Sequence, residues 1–103
     1  ESEAGLRHIE NLVDIIVKRK IQAIFTETSV DDRNIKALIE GAAARGHVVE
    51  IGGTLYSDAM GPEGSFADNY IGMMVHNVAT IVASLGGDTK AFADYELAYD
   101  REQ

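Results

Sequence analysis

Only two stretches of this sequence read as β-strands, and a helix lies between them. Ile21 to Thr26 (IQAIFT) and His47 to Ile51 (HVVEI) are short, apolar and rich in branched residues, and Gly52-Gly53 closes the second. Between them, Ser29-Val30-Asp31-Asp32 resembles a capping box with Asp in the Glu place. The helix it opens carries Ile35, Leu38, Ile39 and Ala42 on one face, and Gly46 supplies a left-handed stop. A crossover of this kind joins parallel strands, and it is right-handed. The constraint is severe, because two strands do not make a stable sheet in water. The expected fold class is therefore α/β, a parallel-sheet βαβ lobe that is incomplete as a fragment. Further strands are expected either before Glu1 or from partner chains.

Helical periodicity flanks this unit. Leu6, Ile9, Val13, Ile16 and Val17 form one apolar stripe, with Glu1 and Glu3 at its start and Lys18-Arg19-Lys20 at its end. Leu55 to Ala67 has no periodicity and reads as a loop with its own structure. Asp68 is positioned to cap a third helix carrying Ile71, Met74, Val75, Val78, Ile81, Val82 and Leu85, stopped by Gly86-Gly87. His76-Asn77 interrupts its apolar face, as a hydrogen-bonded helix contact would. The expected division is a lobe over residues 1–87 and an acidic tail over 88–103, helical or frayed, with Phe92, Tyr95 and Tyr99 spaced for one face.

Composition sets outer limits. The chain has 103 residues, room for one small domain, and is 46% hydrophobic, enough for an ordered core. Its net charge of −8 argues against nucleic acid, which demands a basic footprint. No apolar run is long enough to span a bilayer. Cysteine is absent, which excludes disulfides and thiolate metal sites. The chain opens at Glu1 without Met or a signal segment, the expected look of a mature chain or of a piece of a longer one.

Asp58 leads the candidate site residues. It sits in GGTLYSDAMG (Gly52 to Gly61), a glycine-flanked loop just after a strand, where ligands bind in open α/β sheets. It can serve as a hard oxygen ligand for a divalent cation. It can equally be an Asx-turn residue satisfying nearby backbone N–H groups. Glu27 and Ser29 follow the first strand at the same sheet edge. Glu27 could orient a ligand from behind. Ser29 could do the same, or simply cap the following helix. His8, His47 and His76 come from three different places, and imidazole ligands must converge, so packing or surface roles are expected of them. Met73 and Met74 fit core filling. No nucleophile–base pair, HExxH or phosphate loop is present, and no enzyme activity is expected.

Three blocks together carry a family likeness: IFTETSV (Ile24 to Val30), GGTLYSDAMG, and YIGMMVHN (Tyr70 to Asn77). In this order they resemble the C-terminal lobe of the manganese/zinc solute-binding proteins of bacterial ABC transporters, the cluster of TroA-like and adhesin-type lipoproteins. The likeness spans approximately residues 5–87. It implies two α/β lobes bridged by a long helix, with Mn²⁺ or Zn²⁺ in the cleft on three His, or two His and a Glu, plus an Asp. Asp58 matches that Asp. The resemblance places the other ligands in segments preceding Glu1, so the chain alone is expected to bind metal weakly or not at all. It further implies a periplasmic or lipid-anchored receptor that hands metal to a membrane permease. An exposed face without its partner lobe could also make the fragment self-associate.

A second reading is a flavodoxin-like regulatory or phosphoryl-transfer domain, with Glu27, Asp31 and Asp32 around Mg²⁺. Such a domain needs a strand-end phosphoacceptor Asp and a nearby Lys, yet no lysine lies between Lys36 and Lys90. A third is an interaction module built on the acidic, tyrosine-bearing tail.

Overall fold

A computed structural model describes residues 3–28 and 32–102. The order is α1 (Glu3–Lys18), β1 (Ala23–Glu27), α2 (Arg33–Ala44), β2 (Glu50–Leu55), α3 (Tyr70–Ser84) and α4 (Lys90–Glu102). The strands β1 and β2 pair in parallel, as the crossover requires.

The core lies where α1 and α2 cover the sheet. Val13 and Ile16 of α1 meet Leu38 and Ala42 of α2 and Val49, which precedes β2. These are the centres of the apolar stripes seen in the sequence, whereas Leu6 at the start of the α1 stripe is 52% exposed. Gly41 admits Val13, since a Cβ there would lie 2.7 Å from Val13 Cγ2. The core is shallow: among the described residues no large side chain is completely buried. The radius of gyration is 16.4 Å, against about 13 Å for a compact domain of this length. The described chain is thus a thin layer rather than a ball.

Three helices end on the same hydrogen-bond pattern. After α2, Gly46 N–H donates to Ala43 O (3.0 Å) and His47 N–H to Ala42 O (3.0 Å). After α3, Gly86 donates to Ala83 O (3.1 Å) and Gly87 to Val82 O (2.8 Å). These are Schellman closures, with left-handed Gly46 (φ 83°) and Gly86 (φ 82°) at the turn. After α1, Lys20 to Val17 O (3.3 Å) and Ile21 to Ile16 O (3.0 Å) repeat the motif, but the left-handed position holds Lys20 at φ 53°. The Nε2–H of His47 donates to Ile21 O at 2.7 Å and ties two of these ends together.

The strand limits differ from the sequence expectation. The second strand was expected to stop at Gly52-Gly53, yet β2 runs through both to Leu55. An irregularity lets Ile24 pair with Ile51 and Phe25 with Gly53, leaving Gly52 as the extra residue. The glycines are there for α3. A Cβ on Gly52 would lie 2.5 Å from Ser84 Oγ, and one on Gly53 (φ 145°) 2.5 Å from Thr80 Cγ2. The Oγ of Ser84 donates toward Gly52 O and Thr80 O, both at 2.7 Å.

The caps also shift. Ser29, Val30 and Asp31, expected to open α2, lie outside the described residues; Asp32 stands at the N-cap without a side-chain cap bond. At α3 the cap is Asn69, whose Oδ1 accepts from Gly72 N–H at 2.8 Å, and not Asp68. The carboxylate of Asp68 turns back to accept from Gly64 N–H at 2.9 Å. The tail forms α4 rather than fraying.

Candidate metal-ligand loop

The loop carrying Asp58 leaves the carboxyl end of β2, and α3 fixes its first residue. The side-chain amide of Asn77 embraces the main chain of Tyr56: Oδ1 accepts from Tyr56 N–H at 3.0 Å, and Nδ2 donates to Tyr56 O at 2.9 Å. Two residues earlier on β2, His76 Nε2–H donates to Thr54 O at 3.1 Å. The His76 ring also lies 5.0 Å from that of Tyr56, tilted by 57°. On the other side, Thr28 N–H donates to Leu55 O at 3.1 Å, and the hydroxyls of Thr26 and Thr54 meet at 3.0 Å. The polar break at His76-Asn77 thus serves as the hydrogen-bonded contact that the sequence suggested.

The far end of the loop is closed by its own backbone. Gly61 N–H donates to Ala67 O at 2.8 Å, and the Ser65 N–H and Oγ–H both reach Pro62 O, at 3.0 and 2.6 Å. Ala67 is buried beneath this closure. The Gly64 N–H and the Asn69 amide hold the Asp68 carboxyl below its ordinary pKa, since both favour the charged form. The loop therefore has two fastened ends, with Asp58 on the exposed stretch between them.

Glu27 ends β1, exposed, and pairs with Leu55, so it shares the sheet edge from which the Asp58 loop departs. Ser29 lies outside the described residues, as does Asp31 of the alternative Mg²⁺ pocket, while Asp32 is exposed at the N-cap of α2. His8 is exposed on α1, far in sequence from the loop, and His47 and His76 both spend Nε2 on backbone carbonyls. Among the described residues, no three His, Cys, Asp or Glu stand close enough to hold a metal ion together. Beside the loop, a groove of about 410 Å³ runs along β2 and α3, lined by Thr28, Gly53, Tyr56, His76 and Thr80 among others.

Sequence reasoning missed one participant. Phe66 packs edge-on against Tyr95 (centroids 6.0 Å, 75°) and Tyr99 (5.4 Å, 87°) of α4, which gives the aromatic face of the tail its partner. Its only sequence signal was an aromatic in an otherwise small and polar loop.

The fold is a βαβ lobe with its carboxylate loop beyond the strand ends, the side on which open α/β sheets bind ligands. The family model for the periplasmic zinc-uptake complex component A (ZnuA) matches residues 1–84, and the chain belongs to that family. It is 47% identical over 85 residues to the manganese-binding lipoprotein MntA of Bacillus subtilis, covering 82% of this chain and 28% of that one. Against the zinc-binding protein TroA of Treponema pallidum it is 49% identical over 84 residues, covering 82% of this chain and 27% of that one. The solved structure of the periplasmic zinc-binding protein TroA from that organism superposes with a TM-score of 0.76, over 82% of this chain and 30% of that one. The chain thus spans less than a third of the length of these relatives. The flavodoxin-like alternative finds no support in any of these likenesses.

Proposed function

We propose that this chain is the C-terminal lobe of a receptor that captures Mn²⁺ or Zn²⁺ and delivers it to a membrane ABC permease, with Asp58 as its contribution to the metal. The relatives named for manganese, for zinc and as lipoproteins support this reading, including its placement outside the cytoplasm. The observation that carries it is the fastening of the loop at Tyr56 and at Gly61. A ligand must be held in position before metal arrives if affinity is to be high. Glu27, on the same edge, would orient that ligand or balance charge, and Ser29, two positions on in the sequence, would share that role. The chemistry is capture and release, with no covalent step.

One carboxylate gives weak association only, because tight binding needs several donors acting together. The remaining donors are assigned to parts of the receptor beyond this chain. Elemental analysis of the full-length receptor beside its Asp58→Ala variant tests the assignment. Bound Mn²⁺ or Zn²⁺ should fall from near-stoichiometric to a minor fraction. Equal metal content in both would remove Asp58 from the site, and submicromolar metal binding by the 103-residue chain alone would overturn the shared-site reading.

The open face supports a second proposal. Ile71, Met74 and Val78 of α3, with Leu85 at its C-cap, form an exposed stripe, 40–60% accessible, and a patch of this kind ordinarily meets a partner. Isolated, the lobe should self-associate; a monomer by sedimentation at high concentration would count against this.

A further inference from the structure

We infer that α4 is a clamp on the metal loop, and that Tyr95, Tyr99 and Phe66 are positioning residues for Asp58. The helix begins at Lys90, beyond the residues 1–84 that match the family model. It nevertheless touches the loop at Phe66, next to the residue whose carbonyl closes it. Tyr95 and Tyr99, one turn apart on α4, both meet the Phe66 ring edge to face, and Asn69 Nδ2–H reaches the Tyr99 hydroxyl at 3.4 Å. The same Asn69 nitrogen lies 3.2 Å from Phe66 O, and its Oδ1 caps α3. The next residue, Ala67, accepts from Gly61 N–H, three positions after Asp58. A continuous set of contacts thus runs from α4 to the closure of the ligand loop.

The grip is shallow. No residue of α4 is fully buried, and Tyr95 is 45% exposed. Two edge-to-face ring pairs and a long hydrogen bond make a contact that opens and recloses readily. Such a device restrains the loop without locking it, which suits a receptor that must also release its ion. The metal part of this inference rests on Asp58 being a ligand; the mechanical part does not.

The test uses the full-length receptor, with a Tyr95→Ala/Tyr99→Ala double variant and Tyr99→Phe alone. Amide exchange over residues 61–68 is read in both metal-free and Mn²⁺-loaded protein, together with the rate at which a chelator withdraws Mn²⁺. The double variant should exchange roughly tenfold or more faster in 61–68 and lose Mn²⁺ several-fold faster. Tyr99→Phe, which keeps the ring and loses only the long hydrogen bond from Asn69, should fall between the double variant and the parent in both. Unchanged exchange in the double variant overturns the clamp. Faster exchange with unchanged Mn²⁺ release overturns its role in positioning Asp58. Asp58→Ala, run alongside, separates these outcomes from failure of the ligand assignment: full metal retention there sinks the assignment, while the exchange result still judges the clamp.

Discussion

The α-carbon of Gly72 sits directly under the carbonyl of Phe66: a methyl group added there would lie 1.9 Å from the oxygen. That approach lets the Asn69 cap, the loop closure and the start of α3 occupy one small volume.

Gly72→Ala should therefore force the loop away from the helix, because the obstacle is backbone and cannot rotate aside. Overpacking of this kind costs about 1–3 kcal/mol or more. Chemical denaturation of the full-length protein checks the cost, and metal affinity should drop with it. A variant as stable as the parent would show that the contact is loose.

Asn77→Leu keeps the volume but leaves both main-chain groups of Tyr56 without their partner. Orphaned polar groups in a part-buried setting cost about 1–3 kcal/mol. Asn77→Asp retains the acceptor and loses the donor, so its midpoint should fall between Leu and the parent. An order of stability other than Asn, Asp, Leu would contradict the geometry.

Lys20 offers a gain. A side chain in the left-handed region costs about 1–2 kcal/mol, offset by about 0.5–1 kcal/mol of glycine's extra chain freedom. Lys20→Gly should raise the thermal midpoint by the equivalent of about 0.5–1 kcal/mol. Lys20→Ala keeps the backbone penalty, and a gain from it as large as from glycine would point to charge instead.

Acid should weaken the fold through two carboxylates. The Asp14 carboxyl is held below its ordinary value of 3.8, first by its hydrogen bond to Arg45 and then by that residue's charge. Asp68 is lowered from the same value by Gly64 N–H and Asn69. In both cases the unfolded chain takes up protons first. Their contributions are thus complete above the ordinary carboxylate range and fade as pH falls through the depressed folded values. Both groups sit near solvent, so the effects are small and salt-sensitive. An Asp14→Asn/Asp68→Asn variant should lose less of its thermal midpoint than the parent between neutral and strongly acidic pH. Parallel curves would remove these two groups from the acid response.

Much of this architecture was legible in one dimension, because the signals were local. The stripes through Val13 and Ile16 and through Leu38 and Ala42 needed only helical spacing, and Gly46 and Gly86 marked the stops of α2 and α3. The strand passing through Gly52-Gly53 was not legible, since local propensity makes a glycine pair a terminator. The closeness of Thr80 and Ser84, together with the Phe25 ring, explains why side chains are excluded there. Asp68 and Asn69 are equally good caps by type, and the choice was decided by Gly64 reaching for the carboxylate. The partnership of Phe66 with Tyr95 and Tyr99 joins residues about thirty positions apart, beyond any periodic pattern.

The amide clasp on Tyr56 has an evolutionary corollary. Asn77 grips peptide groups and no side-chain atom, so position 56 can drift among residue types without loosening it. A family alignment should therefore show position 77 held fixed beside a variable position 56. Methods that infer contacts from correlated substitutions would pass over this pair, although it anchors the loop on which the ligand rides.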